Sequence, residues 1–178
     1  IVPAVEMVHK EASRLIKNDW MLITDPDEVI SVELSNQLLS LFPSIEDDVG
    51  MVFVPIQYYF KGRPLSGGIW GGLKKRRLLV HIKKVNFIPN VHDGVRLKPG
   101  FLRKDIEYSE NNVVHHFWMS SYGQLISKHR RYIKGEGKTR YDRGERFARR
   151  LLILTPVKSF REYLISYHGF RDGARGIF

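Results

Sequence analysis

Asp19-Trp20-Met21-Leu22-Ile23-Thr24-Asp25-Pro26-Asp27-Glu28 runs four apolar residues straight into an Asp-x-Asp pair with a third carboxylate behind it. The apolar run predicts a short buried strand over 20–24, with the acids where the strand ends. Open α/β sheets hold their ligands just beyond the carboxyl ends of strands. Carboxylates gathered there repel one another unless a cation neutralises them, and Mg²⁺ or Mn²⁺ prefers such oxygen ligands. Pro26 fixes φ between the two aspartates and stiffens their spacing. The plain alternative is a surface turn, because Asp-Pro-Asp is good turn chemistry. The strand in front favours a ligand site.

Working outward, Val5, Val8, Ala12, Leu15 and Ile16 have helical spacing and predict a helix over 4–17. Ser31 is placed to cap a second helix, with Leu34, Leu38 and Leu41 on one face and Pro43 at its end. Met51 to Phe60 is rich in Val, Ile, Phe and Tyr and predicts a strand. Further strands are expected near 76–82, 84–88 and 113–117. Between them Gly62, Pro64, Gly67, Gly68, Gly71 and Gly72 surround Trp70, which suits a loop that moves or lets backbone approach a ligand. After 119 the period becomes helical through Tyr122, Leu125, Ile126, His129 and Ile133. Gly135-Glu136-Gly137 is read as a break, a cationic helix is expected from about 139 to 154, and Pro156 restarts a final amphipathic segment. The expected fold is α/β: a mixed sheet with flanking helices over 1–119, then a helical, basic section over 120–178.

Composition narrows the class. With 178 residues the chain is long enough to bury a core, and it contains no cysteine, so neither disulfides nor thiolate chemistry enter. No run of 18 apolar residues is present to span a membrane. The chain begins at Ile1 and ends on Ile177-Phe178, and the expectation is a piece of a longer protein with sequence on both sides. The net charge of +10 is concentrated in Lys74-Lys75-Arg76-Arg77, Lys83-Lys84, Arg130-Arg131 and Arg149-Arg150. A basic surface attracts nucleic acid, anionic lipid or a nucleotide diphosphate. A solvated basic face is the ordinary alternative.

Three further constellations carry chemistry. Asn90-Val91-His92-Asp93-Gly94-Val95 joins an imidazole to a carboxylate after an expected strand. His92 suits a metal or phosphate, and Asp93 a general base; an Asp-Gly turn is the alternative. Trp70-Gly71-Gly72-Leu73-Lys74-Lys75-Arg76-Arg77 sets cations beside a glycine loop, where they would neutralise a departing diphosphate; an exposed basic turn is the alternative. His115 and His116 are adjacent in an expected strand and so point to opposite faces. No recognised nucleic-acid motif accompanies the basic runs.

In this order the pieces resemble a family 2 glycosyltransferase of the GT-A type, of the bacterial cell-surface polysaccharide kind. The resemblance rests on Glu6 and Ser13 in the first helix, on Asp19 to Glu28 as a "DW-apolar-DADE" segment, and on Glu33-Leu34. It continues through Gly68-Ile69-Trp70 with Arg77-Leu78-Leu79, Val91 to Val95, His116-Phe117, Ser121-Tyr122 and Arg131-Tyr132. Pro26 replaces the small residue usual between the acids, and Asp93 stands where a Glu is usual. The resemblance implies a sugar transferred with inversion from a nucleotide-diphosphate donor to a saccharide or lipid-linked acceptor, with Mg²⁺ or Mn²⁺. It implies that Asp27, Asp25 and His92 hold the metal, and that Asp25, Lys75, Arg76 and Trp70 contact the donor. Asp93 becomes the base, Arg77 stabilises the leaving diphosphate, and Glu28 supports the turn. The nucleotide-binding half is expected upstream of this chain.

The resemblance also sets the expected partners and place. No nucleic acid is expected, and the location is the cytoplasm, with peripheral contact at the inner face of the membrane through the basic, amphipathic 139–178. The rivals are a non-enzymatic basic module binding nucleic acid or an anionic surface, and a metal-dependent phosphotransferase or nuclease using the same acids.

Overall fold

The structure, a computed structural model, describes residues 5–88, 94–142, 144–146 and 148–177. It is a mixed α/β fold. Helix α1 (Val5–Leu15) leads into β1 (Trp20–Leu22), β2 (Glu28–Ile30) and α2 (Val32–Leu41). The long strand β3 (Val49–Phe60) follows, then β4 (Arg63–Pro64), β5 (Leu73–His81), β6 (Val85–Phe87), β7 (Val95–Leu97), β8 (Leu102–Asp105) and β9 (Val114–Met119). Helices α3 (Tyr122–Asp142) and α4 (Leu151–Arg161) come last, before short helical turns that run to Ile177. The main sheet has the order β1-β5-β3-β9-β2, with β4 and β8 also on β3, while β6 and β7 pair separately. Strand β8 lies parallel to β3, and β1 antiparallel to β5.

The chain divides into two compact units, 1–56 with 75–114, and 57–74 with 115–178. In the first, Ser31 caps α2 as its position predicts: its Oγ accepts from the Leu34 N–H at 3.1 Å. Such a cap is worth about 1 kcal/mol. The same oxygen accepts from the Val113 N–H at 3.0 Å, so one hydroxyl fastens both the helix and the chain entering β9. Leu34 and Leu38 are buried below it. Met21, Ile23, Met51, Val80, Val85 and Val95 form a buried cluster, with Ala12 and Ile16 packed against it. Each fully buried side chain of this size contributes roughly 1.5–3 kcal/mol. Pairing sets Trp20 opposite His81 and Leu22 opposite Leu79, and the Ile23 N–H reaches the Leu78 carbonyl at 2.8 Å. The expected buried strand over 20–24 is shorter and only partly buried, ending at Leu22, which is exposed beside the buried Met21, and it delivers Asp25 just past its end.

In the second unit Phe60, Leu65, Met119 and Leu125 form the buried centre, covered by Tyr58, Trp70, Trp118 and Tyr122. Here three expectations fail. Helix α3 runs through Gly135 and Gly137 without a break; an interior glycine costs about 1 kcal/mol but imposes no turn. The cationic helix expected over 139–154 does not form as one piece. Gly144, at φ 83°, donates its N–H to the Tyr141 carbonyl at 2.9 Å and closes the end of α3 in the left-handed conformation that glycine tolerates. Pro156 lies inside α4 rather than before it.

Candidate functional site

The acidic stretch folds into a β-turn. The Glu28 N–H donates to the Asp25 carbonyl at 3.1 Å, with Pro26 at the position that its fixed φ suits. Glu28, the first residue of β2, returns its side chain: Oε2 accepts from the Asp25 N–H at 2.9 Å and from the Thr24 hydroxyl at 3.2 Å. Arg76 of β5 closes the arrangement. It forms an ion pair with Glu28 Oε1, its Nη2 lies 3.5 Å from Asp25 Oδ2, and the same nitrogen donates to the Ile23 carbonyl at 3.4 Å. The Glu28 side chain is 1% exposed and that of Asp25 46%, so one carboxylate is sealed in and the other faces solvent. Burial lowers the pKa of Arg76, while the charges of Asp25 and Asp27 oppose that shift. Glu28 thus holds the turn from within.

The neighbouring cations do not converge. Successive side chains of a strand point to opposite faces, so Lys75 and Arg77 leave β5 on the side away from Arg76. Lys75 pairs with Asp105 at 3.2 Å and with Glu107, and these partners raise its pKa, the Glu107 bond first. Arg77 donates from Nη1 to the Val95 carbonyl at 3.1 Å, its Nε is buried without a hydrogen-bond partner, and burial lowers its pKa. Of the cations expected at the diphosphate, Arg77 with Lys75 or Arg76, the two nearer the start of β5 are engaged by carboxylates, and Arg77 shares the strand face of Lys75 rather than that of Arg76. His92 and Asp93 lie outside the described residues. Among the described residues no three His, Cys, Asp or Glu side chains gather as a metal-holding group. Asp25 and Asp27 supply oxygen donors of the kind Mg²⁺ or Mn²⁺ prefers, and a further ligand has to come from elsewhere.

Trp70 lies in the second unit and is partly buried. Its ring lies 5.0 Å from Tyr58 and 5.4 Å from Trp118, packed against the buried centre of that unit. The glycine loop around it is fastened rather than free. The buried Asp172 carboxylate accepts from the Ser66 N–H at 2.9 Å and the Gly67 N–H at 2.7 Å, and the Gly68 N–H reaches the Tyr167 carbonyl at 2.7 Å. A Cβ on Gly67 would stand 2.0 Å from the His168 carbonyl oxygen. The backbone approach that these glycines permit is to the chain's own C-terminal segment. Asp172 escaped sequence reading, its one signal being an acid within the glycine-spaced run Gly169 to Gly176. The two adjacent histidines diverge as expected: His115 Nδ1 is 2.8 Å from the Tyr59 hydroxyl, and the His116 ring packs 4.8 Å from Tyr58.

Comparison with known proteins adds an independent finding. No protein-family model matches the chain, and no solved structure matches it significantly. It is similar to proteins described as uncharacterized glycosyltransferases from Rickettsia typhi and Rickettsia prowazekii. Each is 25% identical over 178 residues, covering 90% of this chain and 59% of the relative. The chain thus spans about three-fifths of the length of the curated relatives it matches.

Proposed function

We propose that this protein is part of a glycosyltransferase that moves a sugar from a nucleotide-diphosphate donor to a hydroxyl acceptor, a saccharide or a lipid-linked saccharide. The similarity to two glycosyltransferases across nine-tenths of the chain supports glycosyl transfer. The observation that carries the site is the turn at Asp25–Glu28, in which Glu28 takes up Arg76 and leaves Asp25 half-open to solvent. The finer assignment, to the family 2, GT-A type, rests on the sequence resemblance.

In this reading Asp25 and Asp27, with His92, would hold Mg²⁺ or Mn²⁺, which would supply positive charge to the donor diphosphate. Asp93 takes the proton of the acceptor hydroxyl. The hydroxyl oxygen then attacks the anomeric carbon as the bond to the diphosphate oxygen breaks, and that oxygen leaves with the electron pair, inverting the centre. The resemblance gives Arg77 the charge on the leaving group; its side chain leaves β5 opposite Arg76, and the guanidinium beside the acidic turn is that of Arg76, 3.5 Å from Asp25. Lys75 and Arg76 keep the surrounding carboxylates in place. The test is to incubate the full-length protein with a panel of nucleotide sugars and a mixed saccharide acceptor, and to measure released nucleoside diphosphate. Release that needs Mn²⁺ or Mg²⁺ and stops with chelator is expected; no release from any donor under either condition removes the proposal.

The membrane expectation has its own support. Ile153, Leu154, Val157 and Phe160 of α4 are exposed beside Lys158 and Arg161, an apolar and cationic combination that suits an anionic bilayer surface. No helix among the described residues is long and apolar enough to cross a membrane. Peripheral contact through α4 predicts co-sedimentation with anionic vesicles and none with neutral ones; equal recovery with both contradicts it.

A further inference from the structure

A cleft of about 350 Å³ in the second unit is lined by Lys61, Arg63, Tyr122 and Arg175. Three of the four are cations, and no carboxylate among the described residues pairs with any of the three. Arg175 Nη1 is buried and has no hydrogen-bond partner. A buried guanidinium nitrogen left in that state is costly, because its lost hydration is not replaced.

The local backbone holds the cations there at a further cost. Strands β3 and β4 pair Tyr59 with Pro64 and Phe60 with Arg63, so Lys61 and Gly62 form a two-residue hairpin loop. Both have positive φ, 52° and 71°, as a type I′ turn demands. Glycine or asparagine accepts that conformation readily; for a lysine it costs roughly 1–2 kcal/mol. The Lys61 N–H is tied to the Met119 carbonyl at 2.8 Å, and its ammonium lies 5.3 Å from the centre of the Tyr122 ring. The hairpin thus fixes Lys61 and Arg63 against the start of α3, and Arg175 arrives from the C-terminal turn that also carries Asp172.

We infer that this cleft binds a phosphate group. Three cations match a phosphate dianion better than a lone carboxylate, and arginine meets phosphate oxygens with paired N–H donors. The volume lies at the small end of the range for ligand sites, about 300–1,000 Å³, which suits a phosphomonoester or a lipid phosphate headgroup. The inference is independent of the transfer reaction proposed above. It accounts for a strained lysine, an unpartnered arginine nitrogen and the missing counter-charge together.

Calorimetric titration of the full-length protein with inorganic phosphate, with a hexose 1-phosphate and with phosphatidic acid vesicles tests it, with chloride at matched ionic strength as the reference. Arg63→Gln and Lys61→Asn are expected to weaken phosphate binding about tenfold or more, while Arg14→Gln, at an exposed cation elsewhere, leaves it unchanged. Lys61→Asn suits the turn better than lysine, so its Tm without phosphate should rise, which separates lost binding from lost folding. Binding of the soluble phosphates assigns the site to a free phosphoester, and binding of vesicles alone assigns it to a lipid headgroup. Absence of binding to all three probes, or binding that Arg63→Gln and Lys61→Asn leave intact, overturns the inference.

Discussion

Two buried carboxylates fasten two turns, Glu28 in the first unit and Asp172 in the second, and they do so by different means. Glu28 accepts from residues three and four positions away and is neutralised by Arg76. Asp172 reaches across more than a hundred residues to the amides of Ser66 and Gly67. One is a local device closed by a salt bridge, the other a long-range latch made from backbone donors. The first kind leaves a neighbouring carboxylate, Asp25, half-exposed at the edge of the same guanidinium. The second immobilises a loop that its composition marks as mobile.

Deleting one partner of each device should separate them. Glu28→Ala leaves Arg76 buried beside the turn without its main counter-charge and is expected to cost about 3–5 kcal/mol. Because the pair acts as a unit, adding Arg76→Met should recover much of that loss; equal and additive losses in chemical denaturation would show that the pair is not coupled. Asp172→Ala strands two amide donors without charging anything and should cost less, about 2–3 kcal/mol. Its signature is increased proteolysis at 66–72, and an unchanged cleavage pattern there would contradict the latch. Ser31→Ala, which removes a cap and one link to Val113, should cost about 1 kcal/mol, visible as a lowered urea midpoint.

The smallest effect is a pH dependence. His81 is buried against Trp20 at 5.2 Å, and burial, followed by Lys84, lowers its pKa below 6.5. A depressed histidine pKa means that the unfolded chain binds the proton more readily. Its contribution is therefore complete above pH 6.5 and lost as the pH falls through the folded value. His81→Gln should flatten the acid side of the stability profile, and a profile identical to that of the parent protein would remove histidine burial as its cause.

The same contrast explains what was legible in the sequence. Elements built from nearby residues could be read: the Ser31 cap, the Leu34 and Leu38 face, strand β3 and the Asp-Pro-Asp turn. The short strands β2, β4, β7 and β8 could not, because two to four residues carry no periodicity and are strands only by virtue of their partners. Arg76 and Arg77 are adjacent in the chain but opposed in the strand, so a linear cluster of charge became separate contacts. The contacts of Gly67 with Asp172 and of Trp70 with Trp118 leave no local signal, because these partners lie far along the chain. Of the candidate site, the acidic turn was legible, and the division of labour within it needed β5 beside it.

The central claim is that Asp25 and Asp27 face a metal-bound nucleotide sugar while Glu28 and Arg76 hold them there. The most direct measurement is calorimetric binding of nucleotide sugars to the full-length protein with and without Mn²⁺, for the parent protein, Asp25→Ala and Asp27→Ala. The account predicts Mn²⁺-dependent binding that falls about 10–100-fold in Asp27→Ala and measurably in Asp25→Ala, with both variants still folded. Mn²⁺-dependent binding at the same affinity in all three would contradict it.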